Sequence, residues 1–369
     1  MQNDTNEPRR FFRNMEIVNF TVPEAISTIE HHAFYDCQSL ENFRFSDEVN
    51  SLGKSVFMKC SHLKEIQFPE EFTEIPAETF SGCFALRNVV VPDTVQQIQD
   101  RAFYRCTAMK AFSFPEYLET IGNSSFESCV SLKELEFPEG LSEIGFSAFA
   151  RCRNLTSVKF PSTMRKIGKW AFSDCWKLEE ITLPESLEML GEGAFKNCIQ
   201  LKQVRIPPRV TEIQKDTFLG CLSLSQIHIP EYVTKVHERA FACCSELKKL
   251  AIHDTTECGS SGLFDSIRLL HLYKKGCHVR IELSEQKGME ENLVIRFWTE
   301  KNLSRRKIFF RQLHNPAYKI PLAVLMTVTL QNHEATFRNY IHENFKEVSS
   351  FLMKNHDEEN MGKLLMLET

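Results

Sequence analysis

The sequence is poor in tryptophan and tyrosine, three and seven among 369 residues, although it carries 30 phenylalanines. The residues that most often anchor a protein interface are therefore scarce, and the phenylalanine excess needs a structural reason. No apolar run approaches the ~18 residues of a membrane-spanning helix. The longest, Ile320–Leu330, suits a buried helix, and no membrane insertion is expected. Excess positive charge is missing too. The net charge of −5 offers no general attraction for nucleic acid or an anionic membrane. The first residues, MQNDTNEPRRFFRN, are polar and lack the apolar core of a signal peptide. The expectation is an intracellular, cytoplasmic setting rather than secretion. Catalytic signatures are absent as well: no phosphate-binding glycine loop, no C-x-x-C, no H-E-x-x-H and no G-x-S-x-G. These absences point away from an enzyme; no cofactor and no metal is expected.

What is present is a period. In IGFSAFARCRNLTSVKFP (Ile144–Pro161) a cysteine follows a phenylalanine by three residues. The same pair returns every 23 residues, ten times without an insertion, from Phe34 and Cys37 to Phe241 and Cys244. Self-similarity at such a period means stacked coils rather than one core. Around each phenylalanine the other positions repeat. A small residue often precedes it (Ala102, Ala148, Ala171), and a leucine follows six later (Leu132, Leu155). Apolar residues come at nine and eleven (Val158, Phe160), and proline at twelve (Pro138, Pro161, Pro184). Apolar residues return at fifteen and eighteen (Leu141, Ile144), often followed by glycine (Gly122, Gly145, Gly168).

This pattern converts into shape. Alternation before the proline predicts a short strand, which the proline closes because it has no N–H for the next rung. Ala-Phe-x-x-Cys places apolar groups at i and i+3, which suits one or two helical turns. The glycine fits a turn that needs permissive backbone angles. Each unit then reads strand, turn, short helix, turn, with all strands parallel. One such unit buries too little to offset its ordering entropy, so stacking must supply the rest.

Thirteen cysteines could suggest a disulfide scaffold, but ten share one repeat position and only Cys243, Cys258 and Cys277 lie outside it. Stacked equivalents fall within disulfide range, so distance alone does not exclude bonding. A residue pointing into the core at every turn instead behaves as a small hydrophobe with a weak S–H donor. Ten reduced, buried thiols and a reducing compartment are expected.

The run LKELEFP (Leu132–Pro138) followed by IGFSAFARC (Ile144–Cys152) resembles the BspA-type leucine-rich repeat, and the resemblance spans about Phe20 to Ile252. It implies a right-handed curved solenoid with a parallel sheet on its concave face, and binding to other macromolecules rather than catalysis. The family is known in bacterial surface proteins and many protist proteins, so it does not set a compartment. The expected fold class is an α/β repeat solenoid. It is a right-handed leucine-rich-repeat superhelix with a parallel concave sheet and short convex helices, plus a small α+β C-terminal cap.

Four segments follow. Residues 1–10 read as a flexible N-terminus and 11–253 as the solenoid, whose ten repeats follow a degenerate unit with Asn14 in the cysteine place. Residues 254–300 read as terminal strands and 301–369 as a helical region. Phe264 keeps the 23-residue phase, but no cysteine follows it. Ile267–Tyr273 reads as a last strand, and Cys277–Leu283 with Asn292–Trp298 as a hairpin. Pro321–Leu330 reads as a helix with proline in its first turn. His333–Asn355 places Phe337, Ile341, Phe345, Val348 and Leu352 on one helix face. A cap over the solenoid end and a separate effector domain both fit this region.

Side chains eight and ten after the phenylalanine point away from the core. They nominate a concave binding face: Arg44, Glu65, Gln67, Glu134, Glu136, Lys159, Glu180, Arg205, His228 and Lys249. Charges of both signs are equal there and no aromatic appears, unlike a stacking platform for single-stranded nucleic acid. Four after the phenylalanine, Val130, Trp176, Ile199 and Leu222, with Phe84 earlier, form a convex apolar stripe. It is either an exposed patch or core beneath the C-terminal helices. The lysine row (Lys64, Lys202) and the acidic row after proline (Asp93, Glu139) read as edge protection and turn chemistry. His31–His32 reads as a surface pair. Cys258, His271, Cys277 and His278 match no common zinc spacing. Lys301, Arg305, Arg306, Lys307 and Arg311 read as a solvated helix face. The N-x-S/T acceptors at Asn3, Asn19, Asn123, Asn154 and Asn302 matter only in a secretory path. The functional expectation is a non-catalytic scaffold for protein partners. A cell-surface adhesion module and an enzyme with its chemistry in the C-terminal region are the alternatives.

Overall fold

The structure is a computed structural model. It describes residues 16–253, 255–259, 266–274, 277–284, 289–300, 303–329, 335–355, 357 and 359–363. The expectations for residues 1–10, Phe11, Asn14 and Phe264 lie outside the described residues.

The chain winds into a parallel-strand solenoid of about 11 turns. Three-residue strands such as Glu134–Glu136 and Ser157–Lys159 pair in parallel, register 23. Their central residue is buried and its neighbours are exposed, as period two requires. The phenylalanine side chains form one stacked column with ring centroids 5.0–5.9 Å apart. Phe149 lies 5.2 Å from Phe126 and 5.4 Å from Phe172, its ring nearly parallel to both. The column accounts for the phenylalanine excess: each ring is removed from water, and each from Phe57 to Phe218 is stacked on two others.

A second parallel ladder of two-residue strands was missed from the sequence. It includes Thr120–Ile121, Glu143–Ile144 and Lys166–Ile167, paired in the same 23-residue register. Its signal was the polar–apolar pair that ends on the isoleucine eighteen after each phenylalanine.

The short convex helices are corrected: the segment around each phenylalanine is a turn, not a helix. Two residues before and two after the phenylalanine the backbone is left-handed, as at Ser147 (φ 52°) and Arg151 (φ 62°). An α-helix cannot pass through such residues. The alternation turns every second N–H toward the next coil. Ser147, Phe149 and Arg151 donate to the carbonyls of Lys169, Ala171 and Ser173 at 2.9, 2.8 and 2.7 Å. The intervening amides of Ala150 and Cys152 bond back to Ser147 and Phe149 within their own turn. Every amide of the segment is thus satisfied without a helix.

The glycine reading is also corrected. Gly122, Gly145 and Gly168 do not occupy the left-handed region; the left-handed positions hold mostly other residues, such as Ser147, Arg151 and Asp174, although Gly82, Gly193 and Gly220 are among them. They are glycine because coils touch there. A Cβ on Gly168 would lie 2.6 Å from the carbonyl carbon of Gly145.

The cysteine column has its own bond. Cys175 Sγ donates to the Phe149 carbonyl of the preceding coil at 3.3 Å. That oxygen also accepts the Cys152 amide at 3.3 Å. The same Sγ contact recurs from Cys60 to Cys244, and all ten repeat cysteines are buried thiols rather than disulfides. Burial pushes Cys129 and Cys244 up to about 12 and holds Cys152 and Cys198 well above the ordinary thiol value. They therefore stay neutral donors.

Beyond the coils, Leu269–Lys274 adds in parallel to Lys249–His253, close to the expected last strand. Cys277–Glu282 then runs antiparallel to Leu269–Lys274. The expected hairpin with Asn292–Trp298 does not form, because that segment lies in helix α1 (Met289–Thr299). Its apolar residues Leu293, Val294, Phe297 and Trp298 follow helical spacing and are buried. Four more helices follow: α2 (Leu303–Gln312), α3 (Pro316–Thr329), α4 (Ala335–Glu343) and α5 (Phe345–Lys354). Helix α3 starts at Pro316 rather than Pro321, with the Asn315 Oδ1 accepting the Ala317 amide. Phe337, Ile341, Val348 and Leu352 are buried along one face, divided between α4 and α5 at Asn344. Helix α3 lies against the strand Cys277–Glu282. The buried Asn360 donates to the His278 carbonyl of that strand at 2.6 Å. The helices thus close the end of the sheet, the capping arrangement.

Two expectations follow. Gly168→Ala lowers the unfolding free energy in urea by about 1–3 kcal/mol, the range for overpacking; an unchanged midpoint would remove the close-approach argument. In thiol labelling of the native chain, exposed Cys243 reacts at once. The ten column thiols react only on unfolding; fast labelling of several would refute their burial.

Candidate protein-binding face

The outward positions of the coil strands lie side by side because each coil repeats one register. Arg44, Glu65, Gln67, Glu134, Glu136, Lys159, Glu180, Arg205, His228 and Lys249 are all exposed on one face of the strand ladder. The residues between them are buried. Lys159 Nζ meets Glu136 Oε1 across adjacent coils at 2.5 Å, and Glu136 raises the Lys159 pKa. Such exposed pairs are screened and hold little energy. The ladder is interrupted at Ala111–Ser113, between the strands Asn88–Val90 and Glu134–Glu136. A hollow of about 1130 Å³ lies beside the interruption, with Arg44, Glu65, Arg87, Val90 and Lys110 on its walls.

Sequence reasoning ended this face too early. The strands Lys249–His253, Leu269–Lys274 and Cys277–Glu282 form a separate three-stranded sheet beside Gln226–His228 and extend the face with His253, His271, Tyr273, His278 and Arg280. Tyr273 stacks between His253 and His278, centroids 5.0 and 4.4 Å away. His271 Nδ1 lies 2.8 Å from His278 Nε2, so one proton sits between the two rings. The alternation in HLYK and CHVRIE carried the signal, but only the antiparallel pairing brings the rings together.

Other candidate residues have structural roles. Lys64 pairs with Glu41 and Lys202 with Glu179, both at 2.6 Å between adjacent coils. Asp93 and Glu139 accept the amides of Glu116 and Ser162 in the next coil. His31 Nδ1 accepts the Lys54 amide in the same way. Cys258 sits in the second ladder beside Val236, apart from His271 and His278. Among the described residues no three metal-ligating side chains converge. Arg306 donates to the Trp298 and Glu300 carbonyls and caps α1. Arg305 pairs with Glu300, Arg311 is exposed, and Lys301 lies outside the described residues. Asn123 and Asn154 use their amide nitrogens to bond Asp100 and the Val130 carbonyl; Asn3 is outside the described residues, as is Asn302. The convex stripe is not core beneath the helices. Trp176 and Leu222 keep 39% and 45% exposure and Phe84 48%, while Val130 and Ile199 are half-buried. Arg153 lies over the Trp176 ring at 4.2 Å.

With this geometry in place, the comparisons decide the family. The family described as "BspA type leucine rich repeat region (6 copies)" matches residues 8–110, 97–221 and 166–274. The chain belongs to the BspA-type leucine-rich repeat family. Members of this repeat class generally bind other proteins, and the class is generally non-catalytic. No match is found among curated proteins. Among solved structures, the repeats are similar to a leucine-rich repeat protein from Bacteroides ovatus, 22% identical. That likeness covers 70% of this chain and 85% of the other, with a TM-score of 0.49. A leucine-rich cell surface protein from Faecalibacterium prausnitzii is 26% identical, covering 73% and 82%, with a TM-score of 0.41. A leucine-rich repeat protein from Eubacterium ventriosum is 21% identical, covering 72% and 77%, with a TM-score of 0.45. No described helix of this leucine-rich repeat chain is long and apolar enough to cross a membrane.

The histidine pair makes the end of the face sensitive to acid. Burial lowers the pKa of His271, and His278, Arg280 and Lys249 add to the effect. Burial also lowers His278, partly offset by Asp357 and Glu359. Imidazoles of an unfolded chain take up protons near pH 6.5, these two only below it. The unfolded state therefore binds more protons as pH falls, and stability is lost from about pH 6.5 downward. Hydrogen exchange of residues 269–274 and 277–282, corrected for intrinsic rate, is expected to show more frequent opening at pH 5.5 than at 7.5. His278→Gln should flatten that dependence; equal opening at both values would refute it.

Proposed function

We propose that this leucine-rich repeat protein is a non-catalytic scaffold that holds a protein partner on its concave strand face. One observation carries the reading: ten exposed polar side chains stand at the repeating outward positions of the strand ladders, and the residues between them pack into or against the core. Such an array presents many hydrogen-bonding groups at little cost in backbone ordering on binding, since the coils are already fixed. Its mixed charge favours selective docking over general adhesion to polyanions. The thiol column supports a reducing compartment for this work. From Cys60 to Cys244 each repeat S–H is a hydrogen-bond donor to a phenylalanine carbonyl, and a disulfide would remove it.

Affinity capture with paired variants tests the reading. Glu134→Lys with Glu136→Lys alters the strand face, and Arg151→Glu alters the turn face. The first is expected to reduce recovery of a specific partner at least about tenfold, roughly 1.4 kcal/mol, and the second to leave it unchanged. The reverse pattern would move the binding surface to the turns and overturn the proposal. The first variant should keep the unfolding midpoint of the parent, since exposed ion pairs are worth about 0–1 kcal/mol; Arg151→Glu faces the largely buried Glu127, so its capture is compared under conditions where circular dichroism shows it folded.

A further inference from the structure

The charges on the strand face are not mixed evenly. From Arg44 to Thr182 the outward residues include four carboxylates, Glu65, Glu134, Glu136 and Glu180, against two cations, Arg44 and Lys159. From Gln203 onward the balance inverts. Arg205, Lys249 and Arg280 face outward against Glu282 alone, with His228, His253, His271 and His278 among them. Arg205 leans on Glu185 at the rim, 3.6 Å away, and Arg280 on Glu282. Both pairs are well exposed and readily exchanged for a partner's carboxylate. Lys249 makes no ion pair with any described residue.

We propose, resting on the scaffold reading above, that the C-terminal third of the concave face docks an acidic segment of the partner protein. The observations favour a peptide over a nucleic acid. The ring faces of His253, Tyr273 and His278 are spent on one another, at 5.0 and 4.4 Å, so no flat face is left between them for a base to stack on. The exposed His228 and the half-exposed His253 and Tyr273 offer imidazole N–H and phenol O–H groups that can donate to carboxylates. The cations stand on separate strands, not in a continuous phosphate-tracking groove. The acidic stretch from Glu65 to Glu180 repels the same segment and so fixes which end of the face it occupies.

The test is fluorescence anisotropy of the full chain with a labelled ten-residue peptide of alternating glutamate and serine, at pH 7.5 and low salt. Saturable binding is expected. It should weaken at least tenfold with Lys249→Glu or Arg280→Gln and in 0.5 M NaCl, and stay within twofold with Arg44→Glu. Lys249→Gln serves as the milder variant if the reversal disturbs folding, which circular dichroism reports. Absence of binding, equal loss with Arg44→Glu, or equal affinity for a lysine–serine peptide would each overturn the proposal. Tighter binding of a single-stranded oligonucleotide through the same residues would overturn it in favour of nucleic acid. If the acidic peptide fails while partner capture still depends on Glu134 and Glu136, the scaffold reading stands without this refinement. If capture ignores those residues, the scaffold reading itself falls.

Discussion

Everything in the molecule depends on one oxygen per coil, the carbonyl of the repeated phenylalanine. It accepts the amide of the cysteine three residues on and the S–H of the cysteine one coil later, as Phe149 does from Cys152 and Cys175. The first bond closes the turn and the second ties two turns together. Both lone-pair directions of a fully buried group are thereby used, which an apolar core demands. The thiol suits the place because it is small, weakly donating and kept neutral by burial. The coil spacing that this contact permits is also the spacing at which the phenylalanine rings stack.

The left-handed residues on either side of that phenylalanine carry the same logic into the backbone. Alternating right- and left-handed residues point successive amides alternately along the solenoid axis and back into the turn. The turn side of each coil therefore joins its neighbours through hydrogen bonds, as the strand sides do. Two ladders of strands and one of turns join neighbouring coils, and the turn bonds continue where the strand pairing lapses at Ala111–Ser113. A solenoid tied this way is rigid along its length, which presets the spacing of the outward side chains and makes the strand face usable as a template.

Legibility differed by level. The 23-residue period, the parallel strands, the buried column and the outward positions were readable because each coil repeats the same burial problem. Arg44 through Lys249 point outward for the same reason that Leu135 and Val158 point inward. The short helices were misread because Ala-Phe-x-x-Cys has helical spacing, and nothing in Ser147 or Arg151 announces a left-handed backbone. The glycines were misread because close approach and positive φ favour the same residue. Asn292–Trp298 was misread because a short apolar run of this kind fits strand and helix alike until its neighbours are known. His253, His271, Tyr273 and His278 were invisible as a group, since they come from three strands whose pairing changes from parallel to antiparallel.

By itself the sequence determined what recurs: family, coil period, core column and the two outward positions on each strand. Recurrence makes local pattern sufficient, because every coil meets a copy of itself and the copy answers where its apolar side goes. Only the tertiary structure decided what happens once that copying stops. The strand Cys277–Glu282 reverses direction, α3 lies over it, and Asn360 reaches its backbone from 82 residues away. Those contacts join unlike segments, so no periodicity encodes them. They place the histidine–tyrosine stack at the end of the face.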